Sequence, residues 1–270
     1  MKTKIIILAV LLTACGTRET TPEKFSFPPD WEPHEAVWAD FASERTAVPN
    51  QKAKLDIIAA LSRYVPTNVV YESDSLMMVA KEGLAGLPAD LSNIRFIKTS
   101  SPMNWIRDPG PIFVTNGVQL KVVDFKWSCY GRAYDCEDDL RGEVNDELSN
   151  GLNLETDTMD LYLEGGGIEV STNTLMAYRT MADQRNPDKS LMEVESELLE
   201  ALGKDQMIWL DEFPLIDKPW HKIGNYFGFG ANGHIDVTTR FLNDSTILAT
   251  VVSETDKDKS PLLKDCLLYT

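Results

Sequence analysis

Histidine is scarce in this chain, three residues in 270, and none belongs to a His-Glu-x-x-His helix, which weighs against a zinc hydrolase of that design. Cysteine is also sparse, with four residues, and no two of them stand at the spacing of a zinc site. Basic residues are outnumbered, 26 Lys and Arg against 42 Asp and Glu, for a formal charge of −16. A surface of that sign argues against a nucleic-acid partner; it would raise the encounter rate with small cations, the alternative being that it serves solubility alone. The chain has no apolar run of bilayer length, because Ile5 to Leu12 is too short to span. What remains is ordinary for a folded domain: 43% hydrophobic residues in a chain long enough to bury a sizeable core.

The apolar run still has a use. Lys2 and Lys4 precede it, as in the positive start and apolar centre of a secretory signal. It ends in Leu12-Thr13-Ala14-Cys15, which resembles the bacterial lipoprotein box. The expectation is a signal peptide over residues 1–14, lipidation at Cys15, a lipidated polar tether over 15–27, and folded chain from Pro28. The protein would then be an exported lipoprotein, anchored to a membrane through lipid and facing the periplasm or the cell exterior. In that setting Cys129 and Cys136 could pair, and the odd count beyond Cys15 leaves one thiol over. Both lie in a loop, Trp127 to Asp139, where solvent-exposed or disulfide-bonded roles are expected.

Apolar periodicity predicts a helix from Asn50 to Tyr64, stopped by Pro66, then strand Val69–Tyr71, helix Asp74–Gly83 and strand Ile94–Ile97. Ser190–Leu202 reads as the clearest helix, with Leu191, Val194, Leu198 and Leu202 on one face and Gly203 as its stop, followed by strand Met207–Leu210.

Three segments share one design: a polar, glycine-bearing lead-in, a strand, a tight turn and a returning strand. The first carries Trp105-Ile106-Arg107-Asp108-Pro109-Gly110-Pro111 before Ile112–Val114, turns at Asn116-Gly117 and returns over Val118–Phe125. The second carries Glu164-Gly165-Gly166-Gly167 before Ile168–Val170, turns near Thr172-Asn173 and returns over Thr174–Tyr178. The third carries Gly233-His234-Ile235-Asp236 before Val237–Phe241, turns at Asn243-Asp244 and returns over Thr246–Val252. Asn-Gly and Asn-Asp between apolar runs are hairpin signals. Asp108, Glu164 and Asp236 stand at comparable offsets before their turns, so a radial arrangement of such repeats would gather all three at one axis.

Carboxylates converging without basic partners repel one another, so a cation must justify them. A guanidinium suits them, being planar, permanently charged and rich in donors. His234 stands two residues before Asp236, which on an extended strand puts both side chains on one face, where the imidazole could shuttle protons. A satisfied structural histidine, or half of a metal site, is the alternative for Gly-His-x-Asp taken alone.

The motifs Trp31-Glu32-Pro33-His34-Glu35-Ala36, Trp105 to Pro111, Leu163-Glu164-Gly165-Gly166-Gly167-Ile168, Gln184-Arg185-Asn186-Pro187 and Gly233 to Asp236 resemble, in order, signatures of agmatine deiminase and bacterial (Porphyromonas-type) peptidyl-arginine deiminase. The resemblance implies an α/β fold of the pentein type, a pseudo-fivefold propeller of strand-helix modules. It implies hydrolysis of a guanidino group to a ureido product and ammonia, without a cofactor and without a metal. The substrate would be a small cationic guanidino compound, such as agmatine on a route to putrescine, or peptidyl-arginine. His234 would be the general acid/base, and Asp108, Glu164 and Asp236 would be catalytic and substrate-binding carboxylates. Trp105 and Arg107 are candidates to shape the substrate pocket, against readings in which Trp105 is core and Arg107 balances nearby carboxylates. His34 and Glu35 are expected to fix the first repeat, and Arg185 and Asn186 to brace a loop.

One departure shapes the expectation of activity. The family's nucleophilic cysteine sits late in the chain behind a glycine-rich lead, whereas here residues 253–270 diverge and Cys266 lacks such glycines. The deiminase domain is therefore read as 28–252, with its final module missing, a divergent tail over 253–270, and a truncated site that binds and polarises a guanidinium without attacking it. A lipid-anchored guanidinium-binding protein is the alternative function, and a metal-dependent hydrolase using His234, Asp236 and Glu164 a third.

Overall fold

The computed structural model describes residues 24–41, 48–100, 105–133, 140–223 and 226–251. The proposed signal, Cys15, Cys136, Cys266 and the 253–270 tail lie outside the described residues. Among the described residues no helix is long and apolar enough to cross a membrane.

The strands are β1 (Val37–Asp40), β2 (Thr67–Tyr71), β3 (Ile94–Lys98), β4 (Ile112–Thr115), β5 (Leu120–Lys126), β6 (Glu155–Tyr162), β7 (Ile168–Val170), β8 (Thr174–Tyr178), β9 (Gln206–Leu210), β10 (His221–Ile223), β11 (Tyr226–Gly228), β12 (Thr239–Asn243) and β13 (Thr246–Ala249). They fall into small sheets rather than one. The first, β1-β2-β3, is parallel, and helices Val48–Ser62 and Asp74–Ala85 make its crossovers. The next two repeat one plan. In β4-β5-β6 and in β7-β8-β9 an antiparallel hairpin gains a third strand, parallel to its second, after a helix: Val144–Leu152 in one and Leu191–Ala201 in the other. A parallel neighbour cannot be reached by a tight turn, which is why a helix intervenes each time. The hairpin β12-β13 begins the plan again, and among the described residues no third strand joins it; every residue of β13 is exposed.

The hairpin turns follow from their residues. Gly117 takes φ +82, and the Asn116 side chain accepts from the backbone of Val118 and Gln119 at 3.1 and 2.8 Å, the local closure that asparagine supplies in a turn. Helix Leu191–Ala201 starts at a full capping box, Ser190 and Glu193 each bonding the other's backbone.

Packing joins successive units. One core runs between the second and third sheets, from Ile112, Val123, Phe125 and Leu161 to Ile168, Leu175, Val194 and Leu198. Val70 of the first sheet packs with Val144 and Leu148 of the second unit's helix, and Met176 and Tyr178 of the third sheet pack with Ile235 and Phe241 of the fourth unit. Each fully buried aliphatic side chain contributes roughly 1.5–3 kcal/mol, so these shared cores fix the order of the units. The packed chain starts earlier than Pro28: Phe25 and Phe27 pack against the largest core, and Ser26 pairs with Thr115, inside the stretch expected to be a tether.

Two further expectations are corrected. The third lead-in is not extended, because Ile235–Val237 forms a single 3-10 turn and β12 starts only at Thr239. His34 and Glu35 are exposed rather than set into the first repeat.

Candidate guanidinium site

The lead-ins meet at Gly166. A Cβ there would stand 3.0 Å from Asp236 Oδ2 and closer still to His234 Nδ1 and Asp108 Oδ1, so only glycine lets these three groups converge. Its neighbour Gly165 lies against the Arg107 carbonyl with the same consequence. The glycine run therefore brings backbone close to a cluster of side chains, and the 3-10 turn Gly165–Gly167 carries it past them.

His234 occupies the centre and is 2% exposed. Its Nδ1 lies 3.4 Å from Asp108 Oδ1, and its Nε2 lies 3.7 Å from Glu164 Oε2, just beyond hydrogen-bonding distance. Burial opposes protonation of the imidazole, but Asp108 and Glu164 outweigh it and hold the histidine above its ordinary range. For Asp108 burial prevails, raising the acid against the opposing pull of His234 and of a hydrogen bond from Tyr130. Asp236 is raised by burial in the same way, with His234 and Arg107 opposing.

Glu164 differs. It is fully buried, yet burial is overcome by His234, by the Arg185 guanidinium and by the Ser128 hydroxyl, which together hold it at about 2. Arg185 Nε donates to Glu164 Oε2 at 3.0 Å and its Nη1 and Nη2 donate to the carbonyls of Asn232 and Ala231 at 2.7 and 3.0 Å. Ser128 donates to Glu164 Oε1, and the Tyr130 backbone N–H does so at 3.2 Å. The expectation that the carboxylates lack a basic partner is thus corrected. Arg185 supplies one, and Glu164 is occupied from within.

Sequence reasoning left three contributors unnoticed. Asp217, 2% exposed, accepts from Ala231 N at 2.7 Å, Gly233 N at 2.7 Å and His234 N at 2.8 Å, gripping the lead-in that carries the histidine. Tyr130 donates its hydroxyl to Asp108 Oδ2 at 2.8 Å, and Ser128 holds Glu164. Their segment was read as a loop for Cys129 and Cys136. Of the two roles expected for Cys129, the disulfide-bonded one holds, and the residue is buried. Only the cluster of Asp217 before a Gly-x-x-Gly run gave any hint, and too faint a one.

Trp105 and Arg107 differ in their surroundings, and Arg107 also acts on Asp236 as a nearby positive charge. Trp105 is 69% exposed at φ +73, so it is not core. Arg107 donates Nε to Gly165 O at 3.0 Å and Nη2 to Ile168 O at 3.3 Å; it braces the glycine turn. Asn186 braces the end of β6 through Tyr162, as expected of a loop-bracing residue.

Among the described residues no group of three or more His, Cys, Asp or Glu is placed to hold a metal ion. Asp108, Glu164 and Asp236 gather about His234; Arg185 pairs with Glu164, while Arg107 and Arg240 act on Asp236 as further positive charges with Asp217 against them. Asp236 is the half-buried member of the three carboxylates.

An α/β assembly of repeated hairpin-helix-strand units matches known proteins. The sequence profile described as Porphyromonas-type peptidyl-arginine deiminase matches residues 26–267, and the chain belongs to that family. The match runs into the stretch read as a divergent tail. Curated relatives include the agmatine deiminase of Pseudomonas syringae pv. syringae, 24% identical over 93% of this chain and 66% of that protein, and the agmatine deiminase of Stutzerimonas stutzeri, 28% identical over 81% and 62%. Among solved structures, the agmatine deiminase of Enterococcus faecalis superposes with a TM-score of 0.73 at 22% identity, covering 89% of this chain and 64% of that one. A C. jejuni agmatine deiminase variant with substrate bound gives 0.72 at 21% identity, covering 90% and 69%. The chain spans just under two thirds of the length of the curated relatives it matches.

Proposed function

We propose that this chain supplies the guanidinium seat and the acid–base group of a hydrolase that converts a guanidino group to a ureido group with release of ammonia. The observation that carries the reading is the convergence of Asp108, Asp236 and His234 on Gly166, with Glu164 beside His234 and already paired with Arg185. A guanidinium, planar and rich in donors, can present N–H groups to Asp236 and Asp108 together. His234, held protonated by its carboxylates, can donate to the nitrogen that leaves as ammonia and then take a proton from the incoming water.

The family resemblance implies attack by a cysteine thiolate. Cys129, the one cysteine among the described residues, is disulfide-bonded and does not serve. Agmatine and a peptidyl-arginine side chain both fit the seat's chemistry. A radial, propeller-like order of the units, of the pentein kind, belongs to this reading and is supported by the cores that join each unit to the next. So does export with lipidation at Cys15, supported by the Leu12–Cys15 box.

Ammonia and ureido product in equal amounts from agmatine or a peptidyl-arginine, lost in His234→Asn, are the outcome that the hydrolase reading expects of the native protein; agmatine bound with no product is the outcome expected of a site that cannot attack. Undiminished product from His234→Asn would reject the acid–base assignment.

A further inference from the structure

The segment Ser128–Arg132 adopts a backbone that ordinary side chains avoid. Cys129, Tyr130, Gly131 and Arg132 take φ of 53, 58, 72 and 59 in succession. Each non-glycine residue in this left-handed region costs of order 1–3 kcal/mol and persists only where its surroundings impose it. Here they do. The Ser128 hydroxyl accepts from Gly131 N at 2.8 Å, Asn232 Nδ2 donates to the Tyr130 carbonyl at 3.0 Å, and Cys129 is tied by its disulfide. A side chain at Gly131 would meet Gln184 Oε1 at 2.7 Å. What the strain secures is the place of one side chain. Tyr130 is buried, reaches Asp108 Oδ2 at 2.8 Å with its hydroxyl, gives its N–H to Glu164, and sets its ring 5.4 Å from the His234 ring. The Trp127 ring backs it at 5.1 Å, edge on.

We propose that Tyr130 is a positioning residue of the cation seat, whose hydroxyl aligns the Asp108 carboxylate and keeps it in the ionised state that a guanidinium needs. The proposal rests on the reading of this site as a guanidinium seat. Asp108 is faced by His234 and Asp236 from the fourth unit's lead-in, by Glu164 from the third, and by Tyr130 from the strained loop. Burial and the two carboxylates push it toward the neutral acid; His234 and the phenol oppose them. An O–H donor to a carboxylate stabilises the charged form more than the neutral acid. Tyr130 therefore acts on affinity through pH. Its loss should matter where Asp108 begins to protonate and fade where it is ionised regardless.

The test compares native protein, Tyr130→Phe, and protein carrying 3-fluorotyrosine at position 130, which keeps the ring and strengthens the donor. Agmatine binding is measured by calorimetry from pH 5 to pH 8. The Asp108 carboxyl is followed by carbon NMR without ligand and assigned with Asp108→Asn. We expect Tyr130→Phe to bind agmatine about tenfold more weakly at pH 5, the size of one hydrogen bond to a charged group, with the difference closing toward pH 8. The fluorinated protein should move the acidic limb the other way. An Asp108 carboxyl that titrates identically in native and Tyr130→Phe protein overturns the proposal, whether or not agmatine binds. So does a loss of affinity equal at every pH, the mark of a merely structural contact. If Asp108 shifts as expected while neither protein binds agmatine, the guanidinium reading of the site fails and the positioning role of Tyr130 stands.

Discussion

At the scale of single residues, the site's stability turns on a buried charge that is neutralised twice. Glu164 and Arg185 have fully buried side chains, and removing one partner of such a pair leaves the other charged in a medium that cannot solvate it. Arg185→Met should therefore lose about 3–5 kcal/mol in urea unfolding, well beyond the change from a shortened surface arginine. Glu164 also predicts an acid limb. Its folded value is depressed to about 2, so its contribution is present in full above the ordinary glutamate range and is lost as pH falls toward that value. Glu164→Gln should flatten the stability profile below about pH 4.5. Glu169 runs in the opposite sense. Burial, opposed by Arg240 at 2.8 Å, raises it to about 7. The folded state then disfavours its charge, and stability falls as pH rises from the ordinary glutamate range through about 7. Glu169→Gln should gain on the native protein at pH 8 relative to pH 5, on the order of 1–3 kcal/mol; an equal effect at both pH values would contradict this. Asp108, Glu164 and Asp236 were legible in the sequence because each precedes a hairpin turn by a similar offset, and His234 because it stands two residues before Asp236. Arg185 was read only as a loop brace, and Asp217 and Tyr130 not at all, since a buried ion pair, a carboxylate gripping three backbone N–H groups and a strained loop exist only once distant segments have packed.

At the scale of elements, local signals were readable where packing agreed with them. The apolar face of Leu191, Val194, Leu198 and Leu202 announced a helix, and a capping box of Ser190 and Glu193 starts it at Leu191–Ala201; Ser190→Ala should cost about 1 kcal/mol in denaturant unfolding without changing its slope. Strand β6, Glu155–Tyr162, escaped notice because five of its first six residues are polar. Its place is set by pairing with β5 and by Asn186, which bonds the backbone of Tyr162 on both sides, and neither is visible in the segment itself. The 3-10 turn Ile235–Val237 was missed for a related reason. Val237 carries a strand former's side chain, but Asp217 fixes the preceding backbone and Thr238 donates to the Ile235 carbonyl at 3.2 Å, closing the turn. The consequence is functional: the turn, rather than strand alternation, brings His234 and Asp236 to the same glycine.

At the scale of the whole molecule, the acidic balance should act together with the proposed seat. A formal charge of −16 should draw a cationic ligand in, so agmatine association should slow as salt rises from about 10 mM to 500 mM, as the screening length contracts from about 30 Å to a few ångströms. A neutral urea analogue should show no such dependence in stopped-flow measurements. The measurement that bears most directly on the site's identity is competitive binding of agmatine against putrescine, the same carbon chain with an ammonium in place of the guanidinium, at neutral pH and fixed ionic strength. A seat built from Asp108 and Asp236 around His234 should hold agmatine at least about tenfold more tightly, since the planar fork alone engages two carboxylates at once, and Asp236→Asn should erase that preference. Equal affinity for the two diamines, or a preference for agmatine that survives Asp236→Asn, would contradict the assignment of this cluster as a guanidinium site.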